Sequence, residues 1–361
     1  MLDRFLEFIK KHALIDQGDH LLLAVSGGVD SMAMLDLFSE TSFRFSVAHC
    51  NFQLRGKESD LDEKLVNSTC DELKVTLNKK RFDTKKYSKA HGISTQMAAR
   101  DLRFEWFEAL CKRNGYSKVV LAHHRDDAIE TFFLNLTRGT SLRGLRGIQP
   151  KNNRLIRPML AFTKEEILDY AKSEGLLWRE DASNQETYYK RNLIRHELLP
   201  VLKKLNPDFE KVMVENMEKL DLRFETSEKH YDNIFQQAVE VVGDEFKADI
   251  SKLKAGCNNA YDLYEVLRVF NINYATASDL FSAIQNNASG KVFKSPNYQL
   301  IVDREFIIIR PNDFGQSIAK VLTIEIADEA KSTCINDVEY EICRVAASSW
   351  QMIKSASVGA F

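Results

Sequence analysis

The sequence predicts an α/β protein. Its first domain is expected to be a doubly wound parallel sheet, followed by a helical domain and a small C-terminal part of α+β or β structure. Over the first 160 residues, short apolar segments alternate with segments of helical spacing, which is typical of a parallel sheet covered by helices. Residues 208–288 have a helical pattern, and residues 292–310 have the pattern of a β-hairpin. A chain of 361 residues is too long for one ordinary core, so two or three domains are expected.

The first domain is expected to span residues 1–207 and to begin with an amphipathic helix, because residues 1–12 mix charged and apolar side chains. Strands are predicted at residues 20–25, 43–49, 74–80 and 118–122, and helices near residues 31–39, 58–73, 95–113 and 125–137. Ligands of such folds bind beyond the C-terminal ends of the strands. The segments at Ser26, Asn51 and His123 are therefore expected to meet in one crevice.

Two further helices follow the predicted sheet. Thr163 and Glu166 have the spacing of a capping box, which predicts a helix over residues 163–175. A basic stretch at residues 190–196 opens another helix, which is expected to end near Pro200 or Asn206.

The rest of the chain is assigned to two smaller parts. A helical, substrate-binding domain is expected at residues 208–290, where Ile234, Ala238 and Val241 recur at the spacing of a packed helix. Residues 291–361 are expected to form the hairpin and a partial C-terminal domain with short strands.

The composition excludes several classes of protein. The formal net charge is −2, so any surface for a nucleic acid must be a local basic patch. The six cysteines are scattered without a C-x-x-C pair, which argues against a zinc ribbon, an iron–sulfur cluster or a disulfide framework and fits a reducing cytoplasm. No apolar run approaches the length of a membrane span, so no membrane partner is expected.

A glycine-containing loop between the first strand and its helix predicts a phosphate site. Two glycines let backbone N–H groups turn towards one anion, and the helix N-terminus adds partial positive charge. The loop consists of Ser26, Gly27, Gly28, Val29, Asp30 and Ser31. It lacks the lysine and spacing of a Walker loop and the G-x-G-x-x-G of a dinucleotide fold. The alternative interpretation is a tight strand-to-helix turn with a capping serine.

Acidic side chains follow the fourth predicted strand. Asp127 and Glu130 are three residues apart and share a helix face. Together with Asp30 they are candidates to hold Mg²⁺ against a triphosphate, because this ion prefers hard oxygen ligands. The alternative is a helix N-terminus enriched in acids that complement its dipole. His123 is predicted to be a hydrogen-bonding residue near phosphate, because a zinc site needs further ligands at matched spacing.

Basic residues mark a candidate surface for a polyanion. Residues 138–157 contain three glycines, five arginines and a lysine, without an acidic residue. Arg138, Arg143 and Arg146 in this loop, with Lys190 and Arg191, are the candidate nucleic-acid contacts. Arg100 and Arg103 are also three residues apart on one predicted helix face, where they either reach phosphates or lie solvated beside acids.

These motifs resemble a known family. The loop SGGVDS resembles the pyrophosphate-binding PP-loop of ATP pyrophosphatases that adenylate their substrates. The series AHCNFQLRGKESDLDE, AARDLRFEWF, AHHRDDAIETFFLNLTRGTSLRGLRGI, RPML and DASNQETYYKRNLIRHELLP resembles the tRNA(Ile)-lysidine synthase family from about residue 20 to 207. The resemblance implies a cytoplasmic ligase. This ligase uses ATP and Mg²⁺ to adenylate the wobble cytidine of tRNA(Ile) with a CAU anticodon. The amine of free L-lysine then displaces AMP.

The resemblance also implies roles for individual residues. The loop from Ser26 to Ser31 and Arg103 would bind ATP, and Asp30 and Asp127 would hold the metal. The residues implied in catalysis are Asp30, Asp127, Glu130, His123 and Arg195. The oligomeric state stays open, with a homodimer among the alternatives.

Two other functions remain alternatives. A tRNA thiolase related to two-thiocytidine synthesis would use a C-x-x-C pair, which this chain lacks. A nucleotide-binding module without catalysis would be favoured by loss of an acid at position 30, 127 or 130, and all three acids are present. The chain departs from many family members because residues 316–361 have no run rich in lysine and arginine, which leaves recognition of the tRNA acceptor arm open.

Overall fold

The computed structural model describes residues 1–179, 189–243 and 245–312, without the side chain of Tyr189, together with the backbone of three strands between residues 331 and 354. The chain divides into two compact units, Met1–Asp221 and Leu222–Phe361. The domain bounds placed from the sequence after residues 207 and 290 stay predictions.

The first unit is built on a six-stranded sheet. Its strands are β1 (His20–Ala24), β2 (Arg44–Asn51), β3 (Leu77–Arg81), β4 (Lys118–Val120), β5 (Lys151–Asn152) and β6 (Leu155–Ile156). The strand order is β3-β2-β1-β4-β6-β5, and only the pair of β5 and β6 is antiparallel. The predicted parallel sheet is confirmed. The short strands β5 and β6 lie inside the segment interpreted from its charge as a loop.

The helices of the first unit are α1 (Leu2–Lys11), α2 (Val29–Ser39), α3 (Lys57–Glu72), α4 (Thr84–His91), α5 (Thr95–Asn114), α6 (Arg125–Arg138), α7 (Leu142–Leu145), α8 (Lys164–Ser173), α9 (Tyr189–Leu193) and α10 (Leu199–Leu205). A π-helical turn, Ile194–Leu198, joins α9 to α10. The segment therefore ends at Asn206, the second predicted stop, because Pro200 lies in the first turn of α10, where proline is tolerated. The sequence did not indicate α4, whose N-cap Asp83 accepts a hydrogen bond from the Lys86 amide.

The core of the first unit anchors the helix that follows the phosphate loop. Met34, Leu35, Leu37 and Phe38 of α2 are fully buried. The ring of Phe38 meets the ring of Phe5 edge-on, with 5.1 Å between centroids. An apolar helix packed this tightly holds its own N-terminus in a fixed position under the strand ends.

The capping box predicted before α8 is confirmed. The Glu166 amide donates to the Thr163 hydroxyl over 3.2 Å, and the Thr163 amide donates to Glu166 over 2.8 Å. This reciprocal pair fixes the start of α8 next to the site described below.

The second unit combines one antiparallel sheet with short helices, and its boundary falls within α11 (Phe209–Ala238). Its strands are β7 (Val239–Val242), β8 (Glu245–Asp249), β9 (Val292–Lys294), β10 (Tyr298–Val302) and β11 (Phe306–Pro311), in the order β7-β8-β11-β10-β9. Its helices are α12 (Ile250–Gly256), α13 (Ala260–Leu267) and α14 (Tyr274–Gln285). The predicted hairpin is confirmed as β10 and β11, with β9 alongside.

The expected continuation of the packed helix through Val241 is wrong. The helix α11 ends at Ala238, and the next residues pair with β8 as an antiparallel strand. Three of the four residues of β7 are valines, whose β-branched side chains fit a pleated strand better than a helix.

Three more strands, β12 (Lys331–Ile335), β13 (Val338–Ala346) and β14 (Ser349–Lys354), form a separate antiparallel sheet. This agrees with the short strands expected in the tail. Across the described parts of the chain, no helix is both long enough and apolar enough to cross a membrane.

Candidate active site

The phosphate loop joins β1 to α2 at the C-terminal edge of the parallel sheet. The Ser31 hydroxyl accepts hydrogen bonds from the amides of Ser26 (3.1 Å) and Gly27 (3.2 Å) and donates one to the Gly28 carbonyl (2.9 Å). These bonds hold the turn open at the N-terminus of α2, where the helix dipole favours an anion.

Gly27 is required by its backbone conformation. Its φ of +95° lies in the left-handed region, whereas a Cβ there would make only an ordinary contact, 3.5 Å from the Cβ of Asp62. Asp62 pairs with Arg55 (2.7 Å) and with Arg179 (2.9 Å), whose amide donates to the Gly27 carbonyl. The contacts of Arg179 with Asp62 and with the Gly27 carbonyl stabilise the conformation of the phosphate loop. Asp62 and Arg179 are not among the site residues predicted from the sequence, because their pairing spans 117 residues.

Two predicted acids meet at one imidazole. The Nε2 of His124 lies 4.0 Å from the Oδ1 of Asp30 and 3.5 Å from the Oδ2 of Asp127. Asp30 also pairs with Lys164 at 2.6 Å, and Asp127 accepts a hydrogen bond from the His124 amide at 3.1 Å. Asp127 therefore stabilises the start of α6, as the alternative interpretation proposed, while it also faces Asp30.

The carboxylates of Asp30 and Asp127 fit a magnesium ion in their chemistry. They are hard oxygen donors that come from two different strand ends and converge on one point beside the phosphate loop. No group of three or more His, Cys, Asp or Glu side chains within the described ranges is arranged to hold a metal. These two residues suit an ion whose remaining ligands are phosphate oxygens and water.

His124 and the half-buried Asp126 form an ion pair that is not among the predicted site residues, with 3.4 Å between the Nδ1 of His124 and the Oδ2 of Asp126. Burial lowers the pKa of His124, but the interaction with Asp126 and the charges of Asp127 and Asp30 raise it above its usual value. Burial raises the pKa of Asp126, but the interaction with His124 and the hydrogen bond from the Lys164 amide bring it down to about 2. The surroundings therefore favour the charged form of both side chains, and a charged imidazole would limit the net negative charge around Asp30.

The pKa of His123 is shifted in the opposite direction to that of His124. Burial lowers its pKa to about 4, and the positive charges of Arg157, Arg191 and Arg103 add to the shift against the opposing charge of Asp127. Its Nδ1 atom is buried and has no hydrogen-bond partner in the structure. His123 is therefore a neutral imidazole among arginines, which suits a hydrogen-bonding role.

Glu130 lies fully buried on α6, one turn beyond Asp127. Its Oε1 accepts a hydrogen bond from the Nε of Arg195 over 2.6 Å, and its Oε2 lies 3.4 Å from the Nε of Arg191. Burial raises the pKa of Glu130, and the Arg195 ion pair opposes that shift. Three predicted site residues therefore form one ion-pair cluster.

A cavity of about 510 Å³ opens beside these groups. Its wall carries both signs of charge. The acids are Asp126, Glu130, Glu165, Asp169 and Glu210, and the basic side chains are Lys164, Lys172, Arg195 and Lys203. A cavity with this wall suits a polar small molecule that carries charges of both signs.

The remaining predicted residues are dispersed around the site. Arg103 lies over the ring of Phe52, 5.3 Å from its centroid. Arg138, Arg143 and Lys190 are exposed, whereas Arg146 is ion-paired with Asp221. Asn51 is buried and donates to Glu63 (2.9 Å), Asp60 (3.2 Å) and the Ser59 carbonyl (3.3 Å), which ties β2 to α3.

Comparisons with known proteins identify the family of this chain. Residues 2–202 match the family described as PP-loop domain, and residues 241–312 match the TilS substrate binding domain. A tRNA(Ile)-lysidine synthase from Parabacteroides distasonis is 35% identical over 303 residues, which cover 84% of this chain and 68% of that protein. The chain belongs to the tRNA(Ile)-lysidine synthase family. It is therefore a ligase with a PP-loop ATP pyrophosphatase domain.

Two further members of the family are similar to this chain over most of its length. The tRNA(Ile)-lysidine synthase from Porphyromonas gingivalis is 34% identical over 325 residues, which cover 89% of this chain and 70% of the relative. The tRNA(Ile)-lysidine synthase from Bacteroides thetaiotaomicron is 35% identical over 313 residues, which cover 86% of this chain and 72% of that protein. Among solved structures, the U34-tRNA thiolase NcsA from Methanococcus maripaludis shares the fold. Its TM-score is 0.50 at 16% identity, over 60% of this chain and 77% of that one.

Proposed function

We propose that this protein ligates free L-lysine to the wobble cytidine of tRNA(Ile) with a CAU anticodon, through an adenylated intermediate, and releases AMP and pyrophosphate. The observation that carries the proposal is the meeting of Asp30 and Asp127 at His124, which lines a cavity with charged side chains of both signs, in a chain whose relatives are tRNA(Ile)-lysidine synthases.

In the first step, the 2-oxo oxygen of cytidine attacks the α-phosphorus of ATP, the bond to the β-phosphate oxygen breaks, and pyrophosphate leaves. The loop from Ser26 to Ser31, with Arg103, holds the phosphates in line for this attack. Magnesium held by Asp30 and Asp127 neutralises phosphate charge when bound. Adenylation is needed because the 2-oxo oxygen of cytidine is a poor leaving group by itself, and transfer of AMP to it makes it a good one.

In the second step, the lysine amine adds to the activated ring carbon, and AMP leaves with the former 2-oxo oxygen. The amine must first lose a proton, and Asp127 or Glu130 is the proposed acceptor. Carboxylates in the cavity wall attract the cationic substrate, and Asp127 and Glu130 are the proposed groups beside its reacting end. Arg195 and His123 are proposed to lie around the cytidine, where a neutral imidazole donates or accepts a hydrogen bond without adding charge.

The RNA is proposed to bind along the exposed basic residues and the second unit. Arg138, Arg143 and Lys190 are exposed, and residues 241–312 match a substrate binding domain. Arg146 and Arg191, placed with them on sequence grounds, have ion-pair partners in this structure and would contribute less net charge. The described cysteines, Cys50, Cys70, Cys111 and Cys257, are free thiols, which supports a location in a reducing cytoplasm.

The deciding experiment is mass spectrometry of the wobble nucleoside after incubation of the protein with tRNA(Ile), ATP and lysine. The expected result is lysidine, formed only when all three substrates are present and accompanied by AMP. Incorporation of sulfur instead would establish the thiolase alternative. Bound ATP without AMP release would establish a nucleotide-binding module that lacks catalysis.

A further inference from the structure

Arg157 is a buried arginine, and no acid within the described ranges pairs with it. It follows β6 at the C-terminal edge of the sheet and is 9% exposed. Its Nη1 donates to the Gln149 carbonyl over 2.8 Å, and its Nε is buried without a hydrogen-bond partner. No ion pair joins Arg157 to a carboxylate in the described part of the chain. A buried guanidinium that lacks a counter-charge is costly, so an anion at this position would stabilise it.

Arg157 also lies near a second arginine. Burial and the nearby charge of Arg100 lower the pKa of Arg157 to about 10. Burial and the charge of Arg157 lower the pKa of His123, whose Nδ1 is buried without a hydrogen-bond partner among the described residues. A buried guanidinium and a buried imidazole nitrogen that lack partners are the arrangement expected of a site that receives an oxyanion.

The strand order separates this place from the phosphate loop. The loop follows β1, Arg157 follows β6, and β4 lies between them. Neighbouring strands are about 4.8 Å apart, so the two strand ends are about 10 Å apart. His123 follows the intervening strand and lies between the two positions. Arg157 therefore marks a position on this edge of the sheet that is separate from the loop itself.

We propose that Arg157, with Arg100 and His123, forms an anion subsite that takes a phosphodiester group of the substrate RNA next to the reacting nucleotide. This inference rests on the proposed function, since it takes the RNA as the substrate. A phosphodiester offers two anionic oxygens to a guanidinium fork. The same fork also fits the carboxylate of free lysine or a phosphate of ATP, and the experiment separates these sources.

The test compares Arg157→Gln and Arg157→Lys with the control Arg154→Gln. Arg154 lies just before β6, at the opposite end of the strand, and is exposed. The KM values for tRNA, lysine and ATP are measured separately, with the other two substrates saturating. The dissociation constant for tRNA is measured as a function of salt.

Arg157→Gln is expected to raise the KM for tRNA by about ten- to a hundredfold, the range of a charge-assisted hydrogen bond, with the other two KM values unchanged. The log–log salt slope should become shallower by roughly 0.7 to 0.9, the value for one lost phosphate contact. Arg157→Lys should keep the slope and recover part of the affinity, and Arg154→Gln should match the wild type in both quantities.

Two results would overturn the subsite. One is a selective rise in the KM for lysine or for ATP, which would identify another anion as the ligand. The other is a lower melting temperature with tRNA binding unchanged, which would show that Arg157 only supports the fold. Lysidine formation by the wild-type protein, measured in the same reactions, reports on the proposed function separately. If the wild type forms lysidine while Arg157→Gln binds tRNA normally, only the subsite fails.

Discussion

Glu130→Gln separates a catalytic carboxylate from a structural one, because it keeps the shape of the side chain and removes its charge. Glu130 is fully buried and accepts a hydrogen bond from Arg195 at 2.6 Å. Glutamine can still accept that bond through its amide oxygen. The change therefore weakens the ion pair without opening a cavity.

The cost in stability follows from these contacts. A hydrogen bond to a charged group contributes about 1.5–3 kcal/mol. The side chain of Arg195 is 43% exposed, so solvent screens the pair and the value must be discounted. Burial raises the pKa of Glu130, which shows that desolvation already opposes its charge. We expect a loss of about 1–2 kcal/mol in unfolding free energy, and a melting temperature lower by about 2–8 °C for a unit of this size.

The expected effect on catalysis is much larger than the effect on stability. Loss of a preorganised charge beside the reacting atoms typically lowers the rate by about 100-fold or more. Lysidine formation should fall by that factor, while lysine-independent ATP–pyrophosphate exchange in the presence of tRNA should change much less. A helix acid that only complements the dipole would instead contribute about 0.3–1 kcal/mol and leave activity almost untouched.

The matched control is Glu228→Gln in the second unit. Glu228 is also largely buried and pairs with Arg268, far along the chain from the phosphate loop. The Glu228→Gln variant should be less stable than the wild type, but it should form lysidine at close to the wild-type rate. A stable and fully active Glu130→Gln protein would refute the catalytic assignment.

Three further predictions follow from the same structure. Asp30→Ala should abolish AMP formation and cost less than about 1 kcal/mol of stability, because its pair with Lys164 is part-exposed; near-normal turnover of the folded variant would contradict its role. The affinity for tRNA should fall with salt at a log–log slope of about −2 to −4, for three or four phosphate contacts, and a flat titration would exclude a phosphate role for the basic residues. The unfolding free energy should fall by at most about 3 kcal/mol as the pH drops from 6.5 towards 4, because unfolded His123 takes up a proton that the folded state, with its pKa of about 4, excludes. In urea titrations over this range, His123→Asn should lose that part of the pH dependence, and an unchanged dependence would contradict the assignment.

The order of elements in the first unit was predictable from the sequence, because it depends on local patterns. An apolar segment before two glycines and a helical pattern after them places a phosphate loop between β1 and α2. The capping box at Thr163 could be predicted for the same reason, because both of its hydrogen bonds join residues that are three positions apart. The strand β7 was missed because valines at helical spacing also fit a strand, and only pairing with β8 decides between them.

The sequence by itself determined the phosphate loop, the acids that follow β4 and the order of strands and helices, because neighbouring residues and their spacing carry that information. Only the tertiary structure decided which charges are compensated. It pairs Glu130 with Arg195 and Arg146 with Asp221, and it leaves Arg157 buried without an acidic partner among the described residues, although all three arginines look alike in the sequence. The physical reason is that an ion pair forms between side chains brought together by packing, and a separation of 65 or 75 residues along the chain leaves no periodic signal.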